Sequence, residues 1–196
     1  MAEGGAEPTE AWVEIDPAGM REIRQRFNTA GVTPYRFYDQ DKIMELDELA
    51  ALTVRYRAVG RKVVFTNGCF DILHQGHVTY LEQARGEGDC LVVGVNSDSS
   101  VRALGKGDDR PMNHEQSRAR VIAALGCVDH VVIFGEETPQ KLIATLMPDV
   151  LVKGGDWPVE KIVGAPEVLA AGGRVLSIPL VESYSTTSLI KKIRTV

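Results

Sequence analysis

The chain has 196 residues, 44% hydrophobic and 25% charged, with a formal net charge of −5. That length holds one domain with a full core and is too short for two large ones. The negative balance argues against a nonspecific nucleic-acid binder, which needs a basic surface. Three cysteines, Cys69, Cys90 and Cys127, are odd in number and far apart. They fit a reducing cytoplasm better than a disulfide framework. No apolar run approaches the ~20 residues that span a bilayer, and the acidic N-terminus lacks the apolar stretch of a signal peptide. A cytoplasmic protein with no membrane contact is expected.

Residues 1–10 are rich in Ala, Gly and Glu and are expected to be disordered. Residues 16–27 read as a helix: Asp16 suits its cap, Pro17 its first turn, and Met20, Ile23 and Phe27 share a face. An aromatic loop follows, with Tyr35, Phe37 and Tyr38. A second helix begins at Asp41 or Asp47 and ends near Gly60. Nothing before Arg61 carries a phosphate-binding or metal motif, so this part reads as packing or oligomer contact. The domain boundary is placed at residue 42, with residues 1–41 an extension and 42–196 the main domain, led by a helix.

Residues 63–81 organise the rest. Val63, Val64 and Phe65 form an uncharged run that suits a central strand buried on both faces. Asn67-Gly68 breaks it with a sharp turn. Leu73, Val78 and Leu81 then recur at helical spacing. His74 and His77 lie three apart at this junction, on one helix face, near a helix N-terminus that favours an anion. Further strands are expected at 91–95, 131–134, 150–152 and 174–178, with helices between them. Asp98 is read as the N-cap of a helix carrying Val101 and Leu104, and Asn113 with Gln116 as a capping box. Strand–helix alternation implies an α/β fold with a parallel sheet, helices on both faces and right-handed crossovers. Ligands bind such sheets at the carboxyl ends of strands, where every polar cluster here falls.

Gly68-Cys69-Phe70-Asp71-Ile72-Leu73-His74-Gln75-Gly76-His77 resembles the G-x-F-D-x-x-H-x-G-H motif of the cytidylyltransferase-like nucleotidyltransferases. Residues 66–80 are most similar to bacterial heptose 1-phosphate adenylyltransferases, which make ADP-heptose from ATP and D-glycero-D-manno-heptose 1-phosphate. Three further blocks follow in family order. Arg110-Pro111 matches an Arg-Pro pair, with Arg118 as the next family arginine. Lys153-Gly154-Gly155-Asp156-Trp157 resembles a K-G-x-D-W segment, and Ser185-Thr186-Thr187 an S-T-T signature opening the last helix. The resemblance covers about residue 42 to the C-terminus. Bifunctional relatives place a sugar kinase domain ahead of this region. The chain has no room for one and reads as the stand-alone transferase.

The resemblance implies a Rossmann-like nucleotidyltransferase fold and transfer of AMP from ATP to the sugar phosphate. The attacking phosphate is already ionised, so the site must supply positioning and positive charge rather than a base. His74, His77 and Lys106 are the implied catalytic residues. Thr66, Asn67, Gly68, Cys69, Phe70, Gly76, Asp98, Lys153, Gly155, Asp156, Ser185, Thr186 and Thr187 join both histidines around the nucleotide. Lys106, Arg110 and Arg118 take the substrate phosphate. Phe70 reads equally as core, Trp157 equally as packing, and Asp71 as a brace of its loop. Mg²⁺ is expected with ATP, its ligands undefined by the sequence. Zinc on the histidine pair would need a third ligand, and the spacing of Cys69 and Asp71 fits no common zinc motif. Partners are the two small substrates and a second copy of the chain, in a dimer or larger homo-oligomer.

Three other readings carry less. A cytidylyltransferase for glycerol 3-phosphate or a similar alcohol phosphate would place an arginine shortly before S-T-T, and residues 179–183 hold none. A non-catalytic nucleotide-binding module would not need His74, His77, Lys106 and the S-T-T block together. A nicotinamide dehydrogenase would carry G-x-G-x-x-G after the first strand, which is missing here.

Overall fold

The computed structural model describes residues 42–105, 109–155, 157–179 and 185–195. All of them belong to the unit Tyr38–Val196. The helix expected at 16–27, the aromatic loop and the disordered N-terminus lie outside the described residues.

Helix α1 (Leu46–Ala58) leads into strand β1 (Val63–Gly68). Then come α2 (Gln75–Gly86), β2 (Cys90–Asn96), α3 (Asp98–Ala103), α4 (Glu115–Ala123) and β3 (His130–Phe134). The chain ends with α5 (Gln140–Leu146), β4 (Val150–Gly154), α6 (Ala165–Ala170), β5 (Arg174–Ile178) and α7 (Thr186–Arg194). A short 3₁₀ turn, Val159–Lys161, precedes α6. The five strands are parallel in the order β3-β2-β1-β4-β5. All five expected strands form, four of them within two residues of the expected bounds; β1 runs on through Asn67-Gly68, which pair with Gly94 and Val95 of β2, so the chain turns at Phe70 and not at the expected break. The sequence signals missed α6 and the 3₁₀ turn.

Both faces of the sheet are covered, which is why β1 and β2 read as unbroken apolar runs. Val63, Phe65, Val92 and Leu151 pack with Leu49 of α1, Leu142 and Ile143 of α5 and Val168 of α6. Val64, Leu91, Val93 and Val152 pack on the other face with Tyr80 and Leu81 of α2 and Ile122 of α4.

Three aspartates pin the amino ends of the strands. Asp89, Asp129 and Asp149 immediately precede β2, β3 and β4. Their Oδ2 atoms accept from the N–H groups of Lys62 (2.8 Å), just ahead of β1, Leu91 of β2 (2.9 Å) and Val63 of β1 (2.8 Å). Each satisfies a ladder donor that the sheet edge would leave open. The opposite end of the sheet is left for the site. The chain runs β1, β2, β3 in one direction and then crosses to β4 and β5. The reversal opens a crevice beside β1 at the carboxyl ends.

Two capping expectations differ from the structure. Ser97, not Asp98, is the N-cap of α3, its Oγ accepting from Ser100 N at 3.1 Å. The Asn113–Gln116 box does not form: His114 is the N-cap of α4 and makes no side-chain cap bond. Asn113 instead donates Nδ2 to Asp71 O at 2.7 Å, because the loop it sits in is folded back onto the end of β1.

Candidate active site

Beneath the site, Tyr80 donates its hydroxyl to Val152 O at 3.3 Å and lies 2.5 Å from Thr66 Oγ1. With its proton committed to Val152, Tyr80 receives the one from Thr66. Burial pushes this phenol up to about 12, although the Thr66 bond opposes the shift. The chain of bonds ties β1, α2 and β4 together at the level where the strands end.

Above it, the chain leaves β1 through Phe70, which has a φ of 46°. Its ring sits 3.0 Å from the position a Cβ on Gly68 would take, so a side chain there would displace it. His74 is the N-cap residue of α2 and His77 lies in its first turn. Their rings stack, with centroids 3.9 Å apart and planes at 19°. The Phe70 ring meets His77 edge-on at 5.4 Å. Burial lowers His77 to about 4, with the charge of His74 adding to the effect. Burial also lowers His74, against an opposing backbone bond. Both imidazoles are therefore neutral at pH 7. His77 Nδ1 is buried without a hydrogen-bond partner, an unusual state for a polar atom and one a ligand relieves.

These groups face a cavity of about 410 Å³, lined by Cys69, Phe70, Asp71, His77, Arg110, Thr186 and Thr187. Asp71 shapes one wall. Its Oδ2 accepts from Arg110 Nε at 2.5 Å, and its Oδ1 from Met112 N (2.8 Å) and Asn113 N (3.0 Å). Arg110 is thus held by one edge at the cavity. Arg118 stands behind the wall with a side chain that sees no solvent. It donates Nε to Asn113 O (2.8 Å), Nη1 to Cys69 O (2.6 Å) and Nη2 to Asp98 Oδ1 (2.8 Å). Asp98 also meets His114 Nδ1 at 3.1 Å. Burial alone would raise the Asp98 carboxyl, but the bonds from Arg118 and His114 outweigh it and hold it below the usual range. Opposite, Ser185 caps α7, its Oγ accepting from Ser188 N at 3.3 Å. Thr186 donates to Ile72 O at 3.3 Å, docking α7 on the loop after β1.

A second cavity of about 190 Å³ lies on the other side of β1. Asn67, Pro139, Leu151, Lys153, Trp157, Lys161, Ile162 and Val163 line it.

The structure thus divides the expected site residues. Cys69, Phe70, His77, Arg110, Thr186 and Thr187 share the larger cavity, with His74 stacked on His77 and Gly76 buried in the same turn. Phe70 is both wall and core. Asn67 and Lys153 fall in the smaller one. Thr66 is buried against Tyr80. Gly155 sits beside Trp157. Asp98 and Arg118, expected at ribose and substrate phosphate, are engaged with each other and the backbone; all three donor groups of Arg118 go to protein. Lys106 and Asp156 lie outside the described residues. Sequence reasoning gave no site role to Tyr80, at the end of the family-like run, to Asn113, read only as a cap, or to Lys161, which sits in no motif.

Residues 65–192, well over half of the chain, match the family model described as cytidylyltransferase-like. The bifunctional protein HldE of Citrifermentans bemidjiense is 57% identical over 152 residues, covering 78% of this chain and 31% of its own length. Its counterpart in Pseudomonas aeruginosa is 56% identical over 152 residues, covering 78% and 32%. The chain spans about a third of the length of the curated relatives it matches. Among solved structures, the lipopolysaccharide core biosynthesis protein from Thermoplasma volcanium aligns with a TM-score of 0.52 at 32% identity, over 64% of this chain and 100% of that one. Pantoate-beta-alanine ligase from Francisella tularensis, at 13% identity and a TM-score of 0.51 over 79% of this chain and 78% of its own, shares the fold alone. With its sheet order, its histidine pair at the head of α2 and a family model covering residues 65–192, the chain belongs to the cytidylyltransferase-like family.

Proposed function

We propose that the chain is a nucleotidyltransferase that moves AMP from ATP to D-glycero-D-manno-heptose 1-phosphate, releasing pyrophosphate and giving ADP-heptose. One observation carries the reading: His77, its neutral imidazole stacked on that of His74 at the head of α2, lines a cavity shared with Arg110 and the N-terminus of α7. Each neutral ring keeps one N–H to donate, and displacement by a pre-ionised phosphate calls for donors and positioning rather than for proton abstraction. The high similarity to HldE proteins and the motif resemblance support the choice of donor and acceptor.

An oxygen of the sugar phosphate attacks the α-phosphorus. The bond from that phosphorus to the oxygen bridging to the β-phosphate breaks, and its electron pair leaves with pyrophosphate. His77 donates a hydrogen bond to the triphosphate, and His74, stacked on it, holds the ring in place and donates alongside. Arg110, oriented through Nε by Asp71, turns its remaining donors to the phosphates. Ser185, Thr186 and Thr187, with the first turn of α7, receive phosphate oxygens. Cys69 and Phe70 wall the nucleotide. Lys106 adds charge and Asp156 holds the nucleotide in the reading from resemblance. Arg118 and Asp98 act from behind as positioning residues.

Mg²⁺ enters with the triphosphate in this reading. Among the described residues no group of three His, Cys, Asp or Glu side chains is placed to hold a metal, and both oxygens of Asp71 are engaged. Mg²⁺ would come in on the phosphate oxygens of ATP and would lower the charge on the attacked and leaving groups; no step above is routed through it. Residues 42–196 form the transferase domain, working in the cytoplasm as a homo-oligomer. No described helix is long and apolar enough to cross a membrane. The deciding assay measures pyrophosphate release with Mg²⁺, crossing ATP and CTP with heptose 1-phosphate and glycerol 3-phosphate. Release with ATP plus heptose 1-phosphate alone is expected. Release with CTP would overturn the donor, and release with glycerol 3-phosphate the acceptor.

A further inference from the structure

We propose that the smaller cavity seats the sugar of the acceptor, with Trp157 as its platform and Lys161 as the residue that selects a phosphorylated sugar. The proposal rests on the nucleotidyl-transfer reading above and assigns to it a site on the far side of β1.

The cavity is scaled to a small ligand. Sites that take drug-sized molecules run from about 300 to 1,000 Å³, and this one holds about 190 Å³. Its lining is divided by chemistry. Leu151 and Ile162 make a buried apolar floor. Asn67, Lys153 and Lys161 bring an amide and two ammonium groups to it. A sugar ring has the same division, with C–H faces and hydroxyl edges. An aromatic surface suits the first and fixed donors and acceptors the second.

Trp157 is set as a platform rather than packed away. It is 50% exposed although it lines the cavity. Its backbone is fixed, with its N–H donating to Gly155 O at 3.0 Å and to Ser177 Oγ at 3.1 Å. Ser177 donates in turn to Gly155 O. Gly155, at φ +106°, allows this close fold: a Cβ there would lie 3.2 Å from Trp157 Nε1. Lys161 ends the 3₁₀ turn and is exposed at the rim, where a flexible point charge meets a phosphate.

The placement fits an acceptor. Asn67, on the same face of β1 as Val63 and Phe65, lines the smaller cavity, and the turn after the strand, with Phe70 at φ 46°, carries Cys69 to the larger one. A sugar held by Trp157 would keep its phosphate at the rim, with Lys161 on one side of it and the α-phosphorus of an ATP bound beyond the end of β1 on the other.

The test separates acceptor from nucleotide. In steady-state assays of the full chain, Lys161→Ala and Trp157→Ala are expected to raise the acceptor KM about tenfold or more, the first by losing a charge-assisted contact and the second by losing the stacking face. The ATP KM stays within about twofold of the parent, since a factor of two is well under 1 kcal/mol. Lys161→Arg restores most of the acceptor KM. A rise in the ATP KM alone, or no change in either, would overturn the proposal. A direct measurement guards against a wrong choice of acceptor. In a Trp12→Phe background Trp157 is the sole indole, and its fluorescence is followed against heptose 1-phosphate, glucose 1-phosphate and a non-hydrolysable ATP analogue. Quenching by a sugar phosphate that Lys161→Ala abolishes supports the site even if heptose 1-phosphate is not turned over; in that case the proposed acceptor falls and the cavity assignment stands. No quenching by any sugar phosphate overturns the cavity assignment, whatever the turnover.

Discussion

Arg118 donates Nη2 to Asp98 Oδ1 at 2.8 Å from a side chain with no exposure to solvent. The same guanidinium holds Cys69 O and Asn113 O. One buried cation therefore joins the end of β1, the start of α3 and the loop before α4. Removing it leaves a carboxylate and two carbonyls without their donor. Arg118→Ala should destabilise the fold by about 3–5 kcal/mol, the usual result of breaking a buried charged pair. Asp98→Asn, at a partly exposed partner, should lose about 1–2 kcal/mol. Urea denaturation of the two variants tests this; equal losses would mean that Arg118 acts through Asp98 alone.

Asp71 accepts three hydrogen bonds from Arg110, Met112 and Asn113. Asp71→Asn keeps the shape but turns a donating NH₂ toward at least one of those donors. We expect a stability loss of about 2–3 kcal/mol from the unsatisfied pairing. A larger fall in kcat/KM for ATP, about a hundredfold, should follow as Arg110 loses its orientation. An Asp71→Asn enzyme with parental kcat/KM would separate Arg110 from the phosphates.

Burial holds His77 at about 4 in the folded chain. Unfolded, the imidazole titrates near 6.5. Between those values the unfolded state takes up a proton that the folded state does not. Stability from this group is thus complete above pH 6.5 and falls as the pH drops toward 4. His77→Gln should flatten the decline of Tm over that window, though not abolish it, because His74 is lowered as well. Bound triphosphate reverses the shift, since a nearby anion favours the imidazolium. The His77 midpoint, followed by NMR, should rise when an ATP analogue is added. An unmoved midpoint would remove His77 from the phosphates.

Gly164 precedes α6 with φ +83°, and a Cβ there would lie 2.6 Å from Ile143 Cγ2. Ile143 is fully buried in α5 and cannot withdraw. Gly164→Ala should destabilise by about 2–4 kcal/mol, from the left-handed backbone and the overlap together. Thermal melting reads it directly, and a variant that melts like the parent would show that α6 shifts to make room.

The strands were legible because a sheet covered on both faces demands uninterrupted apolar runs, and Val63 to Phe65 and Leu91 to Val95 supply them. The histidine pair was legible from its three-residue spacing on a helix. The braces were not. Asp71 and Asn113 are 42 residues apart, and Cys69 and Arg118 are 49. Nothing local marks an arginine as buried when its partners are backbone carbonyls brought in by the fold. Asn113 satisfied a capping pattern in the sequence, yet the long-range bond to Asp71 O outcompeted it. Asn67 and Cys69 sit two apart in one stretch, a spacing that a continued strand would put on one face; only the turn after β1, with Phe70 at φ 46°, sends them to different cavities.

The alternation of faces along β1, with Val63 and Phe65 on one side and Val64 on the other, makes the strand intolerant of any change in length. A single residue inserted ahead of Val64 would rotate every following side chain of the strand by half a turn. Thr66 would leave Tyr80, Phe65 would exchange faces with Val64, and Asn67 would swing toward the histidines. Both cavities would fail in one step, although no side chain in either had been replaced. Substitutions can adjust the two cavities one at a time; insertions and deletions in this strand cannot.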